Sequence, residues 1–477
     1  MKLSQNSLLN TDDILYLSNG DKIILNDQQI KAISHIKQFM KSTSKMFVLS
    51  GHAGTGKTTV IKKILDEYKG RAVVSASTNK AVRVASESTM FDGVTIHALL
   101  GLQPDVSLDD FNPNEPQFNQ IKPSTISDYN LIIIDEASMI NADLFQLISA
   151  EVGVSTRTKI VFMGDRAQIP PISEEISAVF GIDTIYHSEL TTLVRQSEEN
   201  PLIKTYNILR DNIINDAYNV PATTDINADG DGLLVAETKE EFRDNLIKAF
   251  TSDEYKEDLN YAKLIAWRNI TVKQSNKIIR DVIFGSDANV VKKNDVLMGY
   301  RTVQSSKHGQ FLINNCMDYR VASVSRRQKN KDGIYGYTTR ILEKSKIFKG
   351  YDEKKIFIVD HSDFENLHNY AERHDDLVEM SRADRKKWKS YYIFRRNNLL
   401  MVNIDGYKCG RPRIKSKQIS KDLDYGYAVT CHKVQGSTYS KVFVLAKDIS
   451  LNKNYKERNQ MLYVALTRPR KLAVVLL

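Results

Sequence analysis

Apolar residues in the first part of the chain fall into short runs separated by amphipathic stretches. Met46–Ser50, Ala72–Ser77, Leu131–Asp135 and Lys159–Gly164 are nearly continuous in apolar residues and read as buried strands. Between them, Thr58–Glu67, Asn79–Thr89 and Ala142–Glu151 place apolar residues at helical spacing. Strands alternating with helices predict a parallel sheet covered by helices on both faces, an α/β fold. A second set begins near Asn200, with a strand at Lys263–Trp267 and a helix over Val272–Phe284. It resumes near the C-terminus with strands Tyr425–Thr430, Lys441–Ala446 and Leu472–Leu477 and a helix over Lys456–Thr467.

Two stretches break the alternation. Gln103–Ser127 is polar and turn-rich, carries Phe111 and Phe118, and reads as an insertion. Residues 299–419 are rich in Lys, Arg, Tyr and short β patterns, then turn into a charged helix over Asp363–Lys389. The expected layout is a loose leader at 1–24, a first domain at 25–200 with the insertion at 103–127, a second domain at 201–298 plus 420–477, and the β-rich insertion at 299–419.

Composition narrows the classes. Of 477 residues, 42% are hydrophobic and 26% charged, as in ordinary globular domains. No apolar stretch is long enough to span a bilayer, and no signal peptide is visible, so the expectation is no membrane and a cytoplasmic site. Cys316, Cys409 and Cys431 lack metal-ligand spacing. The net charge of +9 suits a polyanionic partner. Two basic clusters are interleaved with aromatic residues. One runs from Arg326 to Lys349 around Tyr335 and Tyr337; the other holds Arg382, Arg385, Lys386, Lys387, Trp388, Lys389, Tyr391, Tyr392, Arg395 and Arg396. Cations with stacking rings suit a single nucleic-acid strand, and solvated faces of a small β domain and a helix are the alternative.

The most specific chemistry lies in Gly51-His52-Ala53-Gly54-Thr55-Gly56-Lys57-Thr58, which fits the phosphate-loop pattern between a strand and a helix. Glycines there let backbone N–H groups close on phosphates at a helix N-terminus. Leu131-Ile-Ile-Ile-Asp135-Glu136 ends an apolar strand in two acids, placing them at the carboxyl edge beside that loop. Asp135 is the candidate Mg²⁺ ligand with Thr58, and Glu136 the candidate base for the attacking water. Gln168, in the turn after Phe162-Met-Gly164-Asp165, is a candidate to reach the γ-phosphate. No further acidic cluster supports a two-metal nuclease.

In order along the chain, these runs resemble superfamily 1 helicases, together with Leu25-Asn26-Asp27-Gln28-Gln29, Tyr427-Ala-Val-Thr430-Cys-His432-Lys433-Val-Gln435-Gly436-Ser437-Thr438 and Gln460-Met-Leu-Tyr463-Val464-Ala465-Leu466-Thr467-Arg468. The wording of the last two resembles the RecD-like branch and is nearest to phage Dda-type helicases. The resemblance covers about residues 22–477, patchily in 205–260 and 299–419. It implies two RecA-like motor domains, a small β-hairpin pin at 103–127 and an SH3-like β insertion at 299–419. It implies an ATP-dependent, 5′→3′ DNA helicase using ATP and Mg²⁺ on single-stranded and fork DNA. A monomer working beside single-strand-binding or replication proteins completes that picture.

Residue by residue, the resemblance makes Gln29 the reader of adenine and Lys57 and Thr58 the phosphate-loop pair. Gly51, Gly54, Thr55, Gly56, Thr59 and Gly436 join the nucleotide set. Arg195, in Leu193-Val-Arg195-Gln196, and Arg468 become the cations near the γ-phosphate, the latter an arginine finger. Thr78, Asn79, Thr95, His97, Thr430, His432 and Thr438 become strand contacts, with helix caps or satisfied core polar groups as the alternative. Ser77 departs from the proline usual in relatives. Phe118 is the candidate to stack on the base pair at the fork, against burial in its own hairpin.

Overall fold

The computed structural model describes residues 14–16, 22–104, 117–171, 174–181, 186–194, 200–215, 217, 220–305, 311–344, 350–404 and 419–477. The chain forms two compact units. The first takes in Met1–Ser77, Ala81–Gly101 and Lys122–Glu199; the second takes in Thr78–Lys80, Leu102–Ile121 and Asn200–Leu477. The 102–121 segment thus groups with the second unit, not with the domain at 25–200 in which sequence spacing alone puts it.

In the first unit, helix α1 (Asp27–Lys41) precedes strand β1 (Met46–Gly51). There follow α2 (Lys57–Glu67), β2 (Ala72–Ala76), α3 (Asn79–Thr89) and β3 (Gly93–Thr95). Then come β4 (Leu131–Ile134), α4 (Ala142–Val154), β5 (Lys159–Gly164) and β6 (Tyr186–Leu190). The six strands run in the order β6-β1-β5-β4-β2-β3, all parallel. Parallel pairing buries both faces, which is why these strands are runs of Val, Ile, Leu and Phe rather than alternating. Leu49, Val60, Ile61, Ile133 and Val161 sit in one core at 0% exposure. Because every strand points the same way, Gly51, Ile134, Gly164 and Leu190 end on one edge, where α/β sheets bind ligands. Of the leader, Ile14–Tyr16 pairs antiparallel with Lys22–Ile24, so this part is a hairpin and not loose chain.

The second unit contains α5 (Leu202–Ile214), β7 (Asp225–Ile226), β8 (Gly232–Ala236), α6 (Lys239–Phe250), β9 (Ala262–Ala266) and α7 (Asn269–Phe284). A β-rich stretch follows with β10 (Val296–Gly299), β11 (Asp318–Val324), β12 (Gln328–Lys329), β13 (Tyr335–Lys344) and β14 (Tyr351–Val359). Helices α8 (Phe364–Ala383) and α9 (Trp388–Asn397) come next. The chain closes with β15 (Leu423–Tyr425), β16 (Ala428–Thr430), β17 (Tyr439–Leu445), α10 (Tyr455–Leu466) and β18 (Pro469–Leu476). One sheet has the order β7-β8-β18-β17-β9-β16, parallel apart from β7 on β8. The other is antiparallel, β12-β13-β11-β10-β15, with β14 also on β13.

Two expected elements are broken. The run 425–430 serves both sheets: Tyr425 pairs with Leu297 and Ala428 with Leu264. Gly426 makes the crossing, where a Cβ would lie 3.1 Å from both Asp318 Oδ1 and Val296 Cγ1. The antiparallel sheet therefore extends past the expected 299–419 bounds at both ends. The charged helix over 363–389 stops at Asp384, which leaves helical geometry (φ −139°, ψ 103°) and accepts a hydrogen bond from Lys386 N. The turn it makes lets Trp388 and Tyr391 return to the core. The pin region shows Leu102–Pro104 paired antiparallel with Phe118–Gln120; residues 105–116, with Phe111, lie outside the described residues.

Candidate nucleotide and strand sites

β1 delivers the phosphate loop. Gly54 and Gly56 take positive φ, 89° and 82°, and Gly56 is the N-cap of α2. A side chain is doubly excluded at Gly56, since a Cβ there would stand 2.2 Å from Gln29 Nε2. Lys57 Nζ donates to the carbonyls of Gly51 (2.7 Å) and His52 (2.9 Å), which holds the ammonium inside the loop it serves. Thr55 closes the same turn onto His52 O through its hydroxyl (2.9 Å). Thr58 and Thr59 are half-buried in the first turn of α2.

Gln29 belongs to this loop. It forms a capping box with Asn26 at the start of α1, and its Nε2 donates to Thr55 O (3.1 Å). Only 1% exposed, its amide is engaged at both ends, so adenine contact requires exchange of the Thr55 bond. Gln28 meanwhile accepts from Thr191 N and Thr192 N, both at 2.9 Å, fixing the chain beyond β6. Val194 N reaches Gly54 O (2.9 Å). Arg195, the next residue, lies outside the described residues.

The acid pair follows β4. Glu136 N donates to Asp135 Oδ1 (2.8 Å), orienting that carboxylate. Glu136 adopts left-handed geometry, φ 54° and ψ 45°, which side-chain-bearing residues occupy at a cost and which clusters at reacting centres. The donors fit Mg²⁺: an oriented carboxylate and a hydroxyl are hard oxygen ligands of the kind it takes. After β5, buried Asp165 accepts from Ala53 N (3.2 Å) in the phosphate loop and from Ala167 N (3.0 Å) in its own turn. Gln168 is 6% exposed, and its Oε1 has no hydrogen-bond partner among the described residues. Buried polar atoms are seldom left so.

Asp165 is not among the residues that sequence reasoning singles out, although its run is quoted there. Its signal is an acid directly after a buried strand and glycine.

The strand candidates divide. Thr78 and Asn79 stand half-buried at the start of α3. Thr95 caps the short helix Ile96–Leu99, its side chain accepting from Ala98 N (3.3 Å). His97 is half-buried, and burial lowers its pKa. In the second unit, Thr430 is buried and accepts weakly from Lys433 N (3.4 Å). His432 Nε2 lies 3.7 Å from Glu457 Oε1, and burial lowers its pKa despite that carboxylate. Gly436 turns the loop with φ 70°, and Thr438 is half-buried beyond it. Lys433, not assigned from sequence, sets its ammonium 3.1 Å from the centroid of the Tyr300 ring. Phe118 is 47% exposed, which removes burial in its own hairpin as its explanation.

Arg468 does not project as a finger. It is 5% exposed and donates to Val464 O (2.9 Å), Ser437 O (3.3 Å) and Thr467 Oγ1 (3.0 Å).

Loop, acid pair and parallel sheet define a phosphate-loop ATPase. Residues 24–223 match the family model described as AAA domain, and residues 425–476 the one described as UvrD-like helicase C-terminal domain. The uncharacterized protein R530 of Acanthamoeba polyphaga mimivirus is 24% identical over 92% of this chain and 97% of its own. The ATP-dependent DNA helicase dda of Enterobacteria phage T4 is 23% identical over 94% and 98%. The ATP-dependent RecD2 DNA helicase of Deinococcus radiodurans is 31% identical over 34% of this chain and 21% of its own. The crystal structure of Bacteroides Pif1 bound to ssDNA aligns at a TM-score of 0.51 with 19% identity, covering 95% of this chain and 92% of that one. That likeness establishes the fold, two RecA-like domains of α/β type. By these matches the chain is similar to the superfamily 1 helicases, in their RecD-, Dda- and Pif1-like group. Enzymes of this group hydrolyse ATP, with Mg²⁺ as its usual partner.

Proposed function

We propose that this chain is an ATP-driven motor that moves 5′→3′ on single-stranded DNA and opens the duplex ahead of it. The observation that carries the reading is the carboxyl edge of the first sheet. There Asp165 ties the phosphate loop to the Gln168 turn, and Gly164 packs so closely that a Cβ would lie 3.2 Å from Ala137 N, just after the acid pair. Direction and substrate rest on the resemblance to DNA helicases. So do action as a monomer in the cytoplasm and company with single-strand-binding or replication proteins.

In this reading Lys57 exchanges the Gly51 and His52 carbonyls for β- and γ-phosphate oxygens. Gly51, Gly54, Thr55, Gly56, Thr59 and Gly436 shape the nucleotide site. Thr58 and Asp135 would hold Mg²⁺, whose charge offsets that of the phosphates. Glu136 takes the proton of the attacking water. Gln168, whose oxygen has no partner among the described residues, senses the γ-phosphate and passes its presence to the loop through Asp165. Arg195 and Arg468 meet the charge that develops on transfer, so Arg468 must leave the carbonyls that now hold it. Thr78, Asn79, Thr95, His97, Thr430, His432 and Thr438 face the strand, and exposed Phe118 stacks at the fork.

The test is ATP- and Mg²⁺-dependent unwinding of duplexes with only a 5′ or only a 3′ single-stranded tail, with Lys57→Ala as control. The expected result is unwinding from the 5′ tail alone, abolished in the mutant. Unwinding from the 3′ tail alone would keep the motor and overturn the direction. Strand-stimulated ATPase without unwinding would make the chain a translocase instead.

A further inference from the structure

The net charge is unevenly held. Residues 299–419 contain 26 Lys and Arg against 14 Asp and Glu, net +12, while the whole chain is +9 from 67 against 58; the remainder is therefore −3. Within the insertion the densest group lies at the α8–α9 turn. Residues 382–389 carry Arg382, Arg385, Lys386, Lys387 and Lys389 against the single acid Asp384, and all six are exposed. The other acids of α8, from Glu365 to Glu379, precede the turn in the chain, Glu379 standing one helical turn before Arg382.

Two of the three aromatic residues of this cluster turn away from the cations, while Tyr392 is 39% exposed. Trp388 is 4% exposed and Tyr391 0%. Their rings pack edge-on at 5.3 Å, and Tyr391 meets His374 through its hydroxyl (3.3 Å). Tyr370 and Phe394 complete the packing between the helices at 5.1 Å. The turn is fixed by Asp384 O accepting from Lys387 N (2.9 Å) and by the Asp384 side chain accepting from Lys386 N (3.1 Å). A rigid turn thus presents ammonium and guanidinium groups with its two largest rings turned inward. Such a surface grips phosphates and offers bases the Tyr392 ring but neither Trp388 nor Tyr391. The first basic cluster is different: Arg327 is held by Asp360 and Asp363 and lies over Tyr335 at 4.4 Å, so its charge is already matched.

We propose that the α8–α9 turn is a docking surface for the phosphate backbone of duplex DNA, such as the double-stranded arm of a fork. The proposal rests on the helicase reading for its substrate, but its test does not need unwinding. Arg382, Lys386, Lys387 and Lys389 are changed together to Gln in the full chain, and to Arg at the three lysines in a second variant. Binding of a blunt DNA duplex, of oligothymidine and of a labelled hexaglutamate peptide is followed by fluorescence anisotropy across salt concentrations. The Gln variant should bind the duplex about tenfold more weakly, with a log–log salt slope shallower by about 0.9 for each phosphate no longer gripped. Oligothymidine binding and strand-stimulated ATPase should change less than twofold, and the Arg variant should match wild type. Equal weakening on oligothymidine and duplex would overturn the proposal in favour of a single-strand site. Unchanged duplex binding would overturn it too, and weakening toward the peptide alone would assign the turn to an acidic protein segment. Wild type lacking strand-stimulated ATPase would sink the helicase reading, while the duplex comparison still judges this surface. Equal melting temperatures establish that the variants are folded.

Discussion

Lys433 shows how a single residue acquires chemistry that its neighbours in sequence do not announce. It lies in the loop after β16, between Thr430 and the turning Gly436, with its ammonium over Tyr300. Burial lowers its pKa to about 8, Cys316 being the largest opposing influence, with Lys421 lowering it further and Asp424 raising it less. Phosphate binds the charged form, so affinity for oligothymidine should fall as pH rises from 7 to 9. In Lys433→Arg the cation stays charged over that range, and the fall should disappear. Titration by anisotropy decides it; an identical fall in the mutant would remove Lys433 from the strand contacts. The phosphate loop, by contrast, is legible from sequence because its demands are local: glycines where φ is positive, then Lys57 and Thr58. The tie of Asp165 to Ala53 and the bracing of Thr55 by Gln29 are not legible, since each depends on residues far apart in sequence meeting through space.

At the scale of elements, most strands and helices are readable because parallel-sheet strands are continuous apolar runs and the helices keep one apolar face. What escapes are joints. Gly426 divides one apolar run between two sheets, and Asp384 divides one charged helix into a hairpin; periodicity reads straight through both. The start of α7 is another such joint. Asp448, far along the chain, accepts from Trp267 N (2.8 Å), Arg268 N (2.9 Å), Arg268 Nε (2.6 Å) and Thr271 Oγ1 (2.6 Å). Burial alone would raise its pKa, but the bonds from Thr271, Arg268 and Trp267 outweigh it and the net shift is downward. The stabilisation is therefore present above the unfolded carboxyl pKa and is lost as pH falls through the lowered folded value. Asp448→Asn should destabilise the second unit by about 1–3 kcal/mol at pH 7, and the difference from wild type should shrink toward pH 2. Denaturant melts across that range test this, and a difference independent of pH would show that charge is not what Asp448 contributes.

Over the whole chain, composition suits a polyanionic partner but does not tell where the attraction would originate. The segments outside 299–419 are slightly acidic, so on the proposed function the field that draws a nucleic acid in would come from the insertion. Of the groups assigned to hydrolysis, Lys57 and Gln168 lie inside the first unit, where Lys57 is hydrogen-bonded within its loop and Gln168 is buried, and Arg468 is buried within the second. Salt should separate the two. Screening acts on exposed charges separated by more than about 8–10 Å and far less on buried pairs. Raising salt from about 50 to about 200 mM should then raise the oligothymidine concentration needed for half-maximal ATPase, with a log–log slope of about 0.7 per phosphate gripped. The maximal rate at saturating strand and ATP should stay within about twofold, because the phosphate loop itself is little screened. A maximal rate that falls in step with strand affinity would mean that the insertion's charge also enters the hydrolytic step. Capture and catalysis would then share one electrostatic source, contrary to the division that the charge distribution implies.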